Sequence, residues 1–294
     1  MKNILLGITA IAAGAALADI ASVNVVGYQK NALNQGGAKM IGVPFSYVGG
    51  NAAGFWLSDL TPAGYEENTD LIDNLGTDGD FSVQILDTAG LATDIYSWVR
   101  SVKKGTWQND GHWNDPSFDE VVPHSANDLF IPLGTGLWTT APDLSGDEDP
   151  STQYTILPAG EVKTNSVELV FPEGAVAFAN PFPTTVWLSD LIPTGYEDNA
   201  DLIENLGTDG DFSLQILDAS GLATDTYSWV HSVKKGNWLD DAHWNDPSFD
   251  EVIPHGANDL QITPSMGLWM TAPDKSEDDP AAVYSITVNY PGTL

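Results

Sequence analysis

Three kinds of side chain in this sequence have the types and spacing that chemistry requires, beginning with tryptophan. The ten tryptophans fall into two sets, Trp56, Trp98, Trp107, Trp113 and Trp138, then Trp187, Trp229, Trp238, Trp244 and Trp269. Flat aromatic faces stack on sugar rings, and a row of them on a β surface would grip a polysaccharide. The competing use of tryptophan is to fill a core, where each ring buries roughly 150–250 Å². Core filling is the expectation for most of them in a chain without disulfides. Trp113 and Trp244 sit beside His112 and His243 and ahead of Asn-Asp-Pro turns, so they are expected at the surface. Trp107 and Trp238 flank the same polar stretch from the other side.

Carboxylates form the second group. Asp70 and Asp73 precede Gly76-Thr77-Asp78-Gly79-Asp80, and the pattern returns as Asp201, Glu204 and Gly207-Thr208-Asp209-Gly210-Asp211. Calcium takes about six to eight hard oxygen ligands, which Asp-rich glycine bends supply as carboxylates and free carbonyls. Asp78, Asp80, Asp209 and Asp211 are therefore the candidate calcium ligands. The same residues also make ordinary turns, and the spacing lacks the closing Glu of an EF-hand. The third group is His112, Asp115, Asp119, Glu120 and His124, with His243, Asp246, Asp250, Glu251 and His255 as counterparts. Such a set could ligate zinc or run acid–base steps. No HExxH-type spacing supports that use, and Asn-Asp-Pro reads as a turn. A hydrolase built on two facing carboxylates is a further reading, because such pairs need only about 5–10 Å of separation. No nucleophile elbow, P-loop or dinucleotide-binding motif occurs.

These groups are doubled because the chain is. Trp56-Leu57-Ser58-Asp59-Leu60 returns 131 residues later as Trp187-Leu188-Ser189-Asp190-Leu191. The match runs without a gap to Ala141-Pro142 and Ala272-Pro273, with about three quarters of positions identical. Internal periodicity of this kind marks a unit that folds more than once. Upstream the copies diverge: Pro44-Phe45 matches Pro181-Phe182, but the first copy then inserts the six residues Tyr47-Val48-Gly49-Gly50-Asn51-Ala52. The expected organisation is a leader over 1–18, a first β repeat over 19–157 and a second over 158–294. A recent duplication keeps scaffold and site alike, so shared residues are not thereby marked as functional.

The elements that must position the groups are strands. Phe81-Ser82-Val83-Gln84-Ile85-Leu86 alternates with period two, placing Phe81, Val83 and Ile85 on one face. Asp87-Thr88-Ala89-Gly90 is turn chemistry, and Ile95-Tyr96-Ser97-Trp98-Val99 resumes a strand that puts Tyr96 and Trp98 on one face. Further strands are expected at Thr106-Trp107, Asp128 to Ile131, Gly136 to Thr140 and Gln153 to Leu157. Leu71 to Leu75 has helical spacing and ends at Gly76, which predicts one short helix per copy. The fold class is mostly β: two tandem sandwich-like or barrel-like repeats.

Composition narrows the partners. The formal charge is -31, with 41 acidic and 10 basic side chains among 294 residues. Nucleic acid and anionic membranes both require lysine and arginine, so neither is expected. Cysteine is absent, which excludes thiolate metal sites and thiol catalysis. Lys2, the apolar run Ile4 to Leu17 and Ala16-Leu17-Ala18 have the form of a secretory signal peptide cleaved near Ala18. The expectation is an exported protein, extracellular, periplasmic or at the cell surface, with no integral membrane segment after cleavage.

Asn24-Val25-Val26-Gly27-Tyr28, Ala179-Asn180-Pro181-Phe182 and the Gly-x-Gly-Leu-Trp strand Gly134 to Trp138 carry a resemblance. In these segments the chain resembles a group of largely uncharacterised secreted bacterial proteins with an N-V-V-G-Y mature N-terminus and A-N-P-F-like strand ends. The first copy departs from the second motif with Gly42-Val43-Pro44-Phe45, and the second copy departs from the third at Ser265-Met266. The resemblance implies export and β architecture, and brings no activity or site residue. Function is therefore expected to be non-enzymatic binding, with glycan or another extracellular polymer as partner and avidity from two units. The alternatives are a self-assembling surface protein stabilised by Ca2+ and the carboxylate hydrolase.

Overall fold

The computed structural model describes residues 26–28, 30–34, 36–48, 54–63, 81–86, 91–99, 102–103, 106–107, 111–141, 153–171, 174–195, 212–231, 233–234, 237–238, 241–264, 266–273 and 284–291. These residues are mostly β, arranged in several antiparallel sheets. Their only helical turns are the short 3₁₀ segments Leu57–Asp59 and Leu188–Asp190. The expected helix at Leu71 to Leu75 lies outside the described residues, as does the leader.

Each copy supplies one five-stranded sheet with the same strand order. In the first it runs Ala38–Gly42, Gly136–Thr140, Phe81–Leu86, Ala92–Val99 and His112–Asn114. In the second it runs Gly174–Ala179, Gly267–Ala272, Phe212–Leu217, Ala223–Val230 and His243–Asn245. A three-stranded sheet accompanies each: Asn31–Asn34, Gln153–Ile156 and Pro62–Ala63, then Val167–Phe171, Tyr284–Val288 and Pro193–Thr194. Short pairs, Gly54–Trp56 with Phe130–Pro132 and Val186–Trp187 with Gln261–Ile262, complete the set.

Period-two alternation decides what each large sheet buries. Phe81 and Val83 point inward with Ile41, Leu137 and Trp98, and meet Leu33, Tyr154 and Ile156 of the smaller sheet in one core. Phe81 and Tyr154 touch edge to face at 5.2 Å, and Phe212 and Tyr284 repeat the contact at 5.6 Å. The second core gathers Phe178, Phe212, Leu214, Leu268, Met270, Tyr284 and Ile286. Val162 packs in the first core and Leu169 in the second, so the chain passes from one to the other between them. Asn180, in the Ala-Asn-Pro-Phe step, fixes the turn that follows. Its amide donates to the Thr184 and Ile262 carbonyls at 2.7 and 2.8 Å, and its carbonyl accepts from Phe182 N–H at 2.9 Å.

The outward faces of the two large sheets meet along a seam of small residues. Met40 points away from the first core yet is only 4% exposed, because it is covered by the second copy. A Cβ added to Gly267 would lie 2.5 Å from Met40 Cγ, so only glycine admits this side chain. A Cβ added to Gly42 would likewise lie 2.5 Å from the Ala179 Cβ. Ala179 N–H donates to the Gly134 carbonyl at 2.7 Å across the same seam. In the second copy the residue matching Met40 in register is Ala177, opposite Trp269 as Met40 is opposite Trp138.

Candidate functional site

Away from the seam the sheet faces separate and leave a groove of about 330 Å³. Its walls hold Trp138, Gln84 and Leu86 from the first copy and their counterparts Trp269, Gln215 and Leu217 from the second. The register explains the convergence. Trp138 pairs with Gln84, and Trp269 with Gln215, so each aromatic ring and amide stand side by side on the outer face of one sheet. Leu137 and Leu268 point inward from the adjacent positions and are buried, which turns both tryptophans outward. Both rings are half-buried.

The turn between Phe212–Leu217 and Ala223–Val230 closes one side, contributing Ser220 and Gly221. Gly221 has φ +79, and a Cβ there would lie 3.9 Å from the Trp138 ring, so the second copy's turn reaches over the first copy's tryptophan. Asp218 builds that turn by accepting from Ser220 Oγ at 2.7 Å and from the N–H groups of Ser220 and Leu222 at 2.8 and 3.0 Å. The Ser220 hydroxyl, then the Leu222 and Ser220 N–H groups, hold the Asp218 carboxyl below the usual carboxylate range.

Comparison with known protein families, with curated proteins and with solved structures finds no match.

Trp113 and Trp244, expected at the surface, are core residues instead. Both are 2% exposed. His112–Asn114 and His243–Asn245 are strands rather than loop, so alternation sends the central tryptophan inward. There Trp113 meets Trp98 edge to face at 5.5 Å, and its indole N–H donates to the Leu60 carbonyl at 2.8 Å. Trp244 meets Trp229 at 5.5 Å and donates to Leu191 at 2.7 Å. Tyr96 and Trp98 do share a face, and that face is the inner one. The side chains of Trp107 and Trp238 lie outside the described residues. His112 and His243 are half-buried at the sheet edge, and His243 Nδ1 stands 2.6 Å from the Asp241 carbonyl.

The His–carboxylate stretch builds a hydrogen-bonded loop. Asp115 Oδ1 accepts from Ser117 and Asp119 N–H at 2.9 and 3.0 Å. Asn127 Nδ2 donates to the Glu120 carbonyl at 3.0 Å, and Asn127 Oδ1 accepts from Ser125 Oγ at 2.7 Å. Asp128 accepts from Ser58 Oγ and His124 N–H at 2.6 and 2.8 Å, pinning the loop to the 3₁₀ turn. His124 then faces Asp59, not Asp115, Asp119 or Glu120, at 3.1 Å. The second copy repeats this with His255 and Asp190 at 3.2 Å. Among the described residues, no three of His, Asp and Glu gather closely enough to hold a metal ion. Asp78, Asp80, Asp209 and Asp211, the candidate calcium ligands, lie outside the described residues.

Trp138 and Trp269 are the functional candidates that reading for loops overlooked. The signal was available: in Gly-Leu-Trp the leucine occupies the inward position of a strand, so the tryptophan must face out.

Proposed function

We propose that this is an exported, non-enzymatic protein that binds a neutral glycan in the groove between its two repeats. The observation that carries this reading is the convergence of two outward tryptophans and two glutamines in one cleft. Aromatic faces suit the C–H faces of sugar rings, and a primary amide both donates to and accepts from hydroxyl groups. Pockets of about 300–1,000 Å³ with a few placed polar groups are the usual form of a ligand site. The charge of -31 selects against acidic polysaccharide. Export rests on the leader-like first eighteen residues.

Because both copies wall one groove, the reading assigns one site per chain rather than two tethered ones. A glycan array followed by calorimetry tests it. Trp138→Ala and Trp269→Ala are each expected to lower affinity by about tenfold or more, since a buried aromatic contact carries about 1–3 kcal/mol. Full binding by both variants, or no glycan bound by the unmodified chain, would overturn it.

A further inference from the structure

A second cavity, of about 260 Å³, opens in the first copy. Its lining includes the apolar Phe45, Phe55, Leu60 and Pro158, together with Tyr47 and Asp59. One of those walls is particular to the first copy. Tyr47 comes from the insertion that the second copy lacks, closed by a bond from Tyr47 N–H to the Gly54 carbonyl at 2.7 Å. Pro158 comes from the segment that leads on to the second copy. In the second copy the partner of Phe45 is Phe182, and Tyr290 packs on it edge to face at 5.3 Å.

The insertion also changes the neighbouring His–Asp pair. Tyr47 meets His124 edge to face at 4.6 Å, while Trp56 stacks on the other side at 5.7 Å. Side-chain exposure of His124 and Asp59 is 35% and 32%, against 57% and 50% for His255 and Asp190. In copies that otherwise agree so closely, a difference says more than an identity. The first copy has added a wall around Asp59 and kept a cavity behind it.

We infer that this cavity is a binding site for a small organic ammonium compound with a flat apolar body. Phe45, Phe55, Leu60 and Pro158 bury the body, and the cationic end meets the Asp59 carboxylate beside the Tyr47 ring. Among the described residues Asp59 Oδ1 faces His124 Nε2, and Oδ2 has no hydrogen-bond partner. A neutral apolar guest would cover part of the Asp59 side chain, 32% exposed, without giving Oδ2 a partner. An anion would meet the same carboxylate and a chain of charge -31. A cation satisfies both. The inference does not depend on the groove between the sheets.

Phenethylammonium and its neutral isostere 2-phenylethanol are the probes, titrated against the full chain by calorimetry and by NMR. Phenethylammonium should bind saturably, and 2-phenylethanol about tenfold or more weakly, the scale of one charge-assisted contact. Asp59→Asn should lower phenethylammonium affinity by a similar factor, and Tyr47→Ala should weaken it too. Asp190→Asn, the matching change in the second copy, should leave affinity unaltered. Equal binding of both probes, equal effects of the two Asp→Asn changes, or no saturable binding would each overturn the inference. The comparison of the two probes uses unmodified protein, so it stands even if a variant fails to fold.

Discussion

A tryptophan in this chain is assigned by the direction its Cβ leaves the strand. Trp113 and Trp138 belong to the same sheet, yet one is a core element with a bonded indole and the other lines a cleft. Replacing Trp113 by Ala removes the packing and strands the Leu60 carbonyl. We expect a loss of about 3–5 kcal/mol, read by chemical denaturation, and the same for Trp244→Ala. Trp138→Ala, half-exposed, should leave the denaturation midpoint nearly unchanged. Asp218 offers a test by pH. Its pKa is lower in the folded chain than in the unfolded one, so its ionised form stabilises the fold above the unfolded value. That stabilisation is lost as pH falls through the folded value. The melting-temperature gap between wild type and Asp218→Ala should therefore be greatest near neutral pH and close in acid below the usual carboxylate range. A gap that widened in acid would contradict the assignment.

At the scale of elements, the strands were legible wherever one face was buried and the other wet. Phe81–Leu86, Gly136–Thr140 and Gln153–Ile156 fall on the expected segments because period two is strong there. His112–Asn114 was hidden because its three residues are too few to alternate visibly and Asn-Asp-Pro chemistry follows at once. The 3₁₀ turn at Leu57–Asp59 was hidden as well, since it depends on Asp128, 70 residues away, accepting from Ser58. Least legible was the groove. Its walls come from strands far apart in sequence, and their meeting depends on Gly42 and Gly267 having no side chain. That dependence can be tested. Gly267→Val should collide with Met40, pry the sheets apart and lower glycan affinity by about tenfold or more while both cores stay folded. Calorimetric titration paired with near-ultraviolet circular dichroism would read the two effects separately.

For the whole molecule, the proposed groove fixes stoichiometry. Titration with a glycan long enough to fill it should reach one equivalent per chain; two equivalents would mean that each repeat binds alone. Because the expected ligand is neutral, a tenfold rise in salt should change its affinity by no more than about twofold. The organic-cation site should respond the other way, weakening as salt screens the chain's negative field.

Near-identical neighbours on one chain invite crossed pairing, in which a repeat docks on the wrong molecule and the error propagates from chain to chain. The seam bears on that error at one position. Met40 of the first repeat fills the space over Gly267, and the second repeat presents Ala177 where a second methionine would stand. The glycine is common to both repeats, since Gly136 matches Gly267, so the asymmetry rests on the methionine alone. Two second repeats brought together would set alanine over glycine and leave the space of a methionine unfilled. The first repeat fills that space, and it meets a second repeat soonest on its own chain.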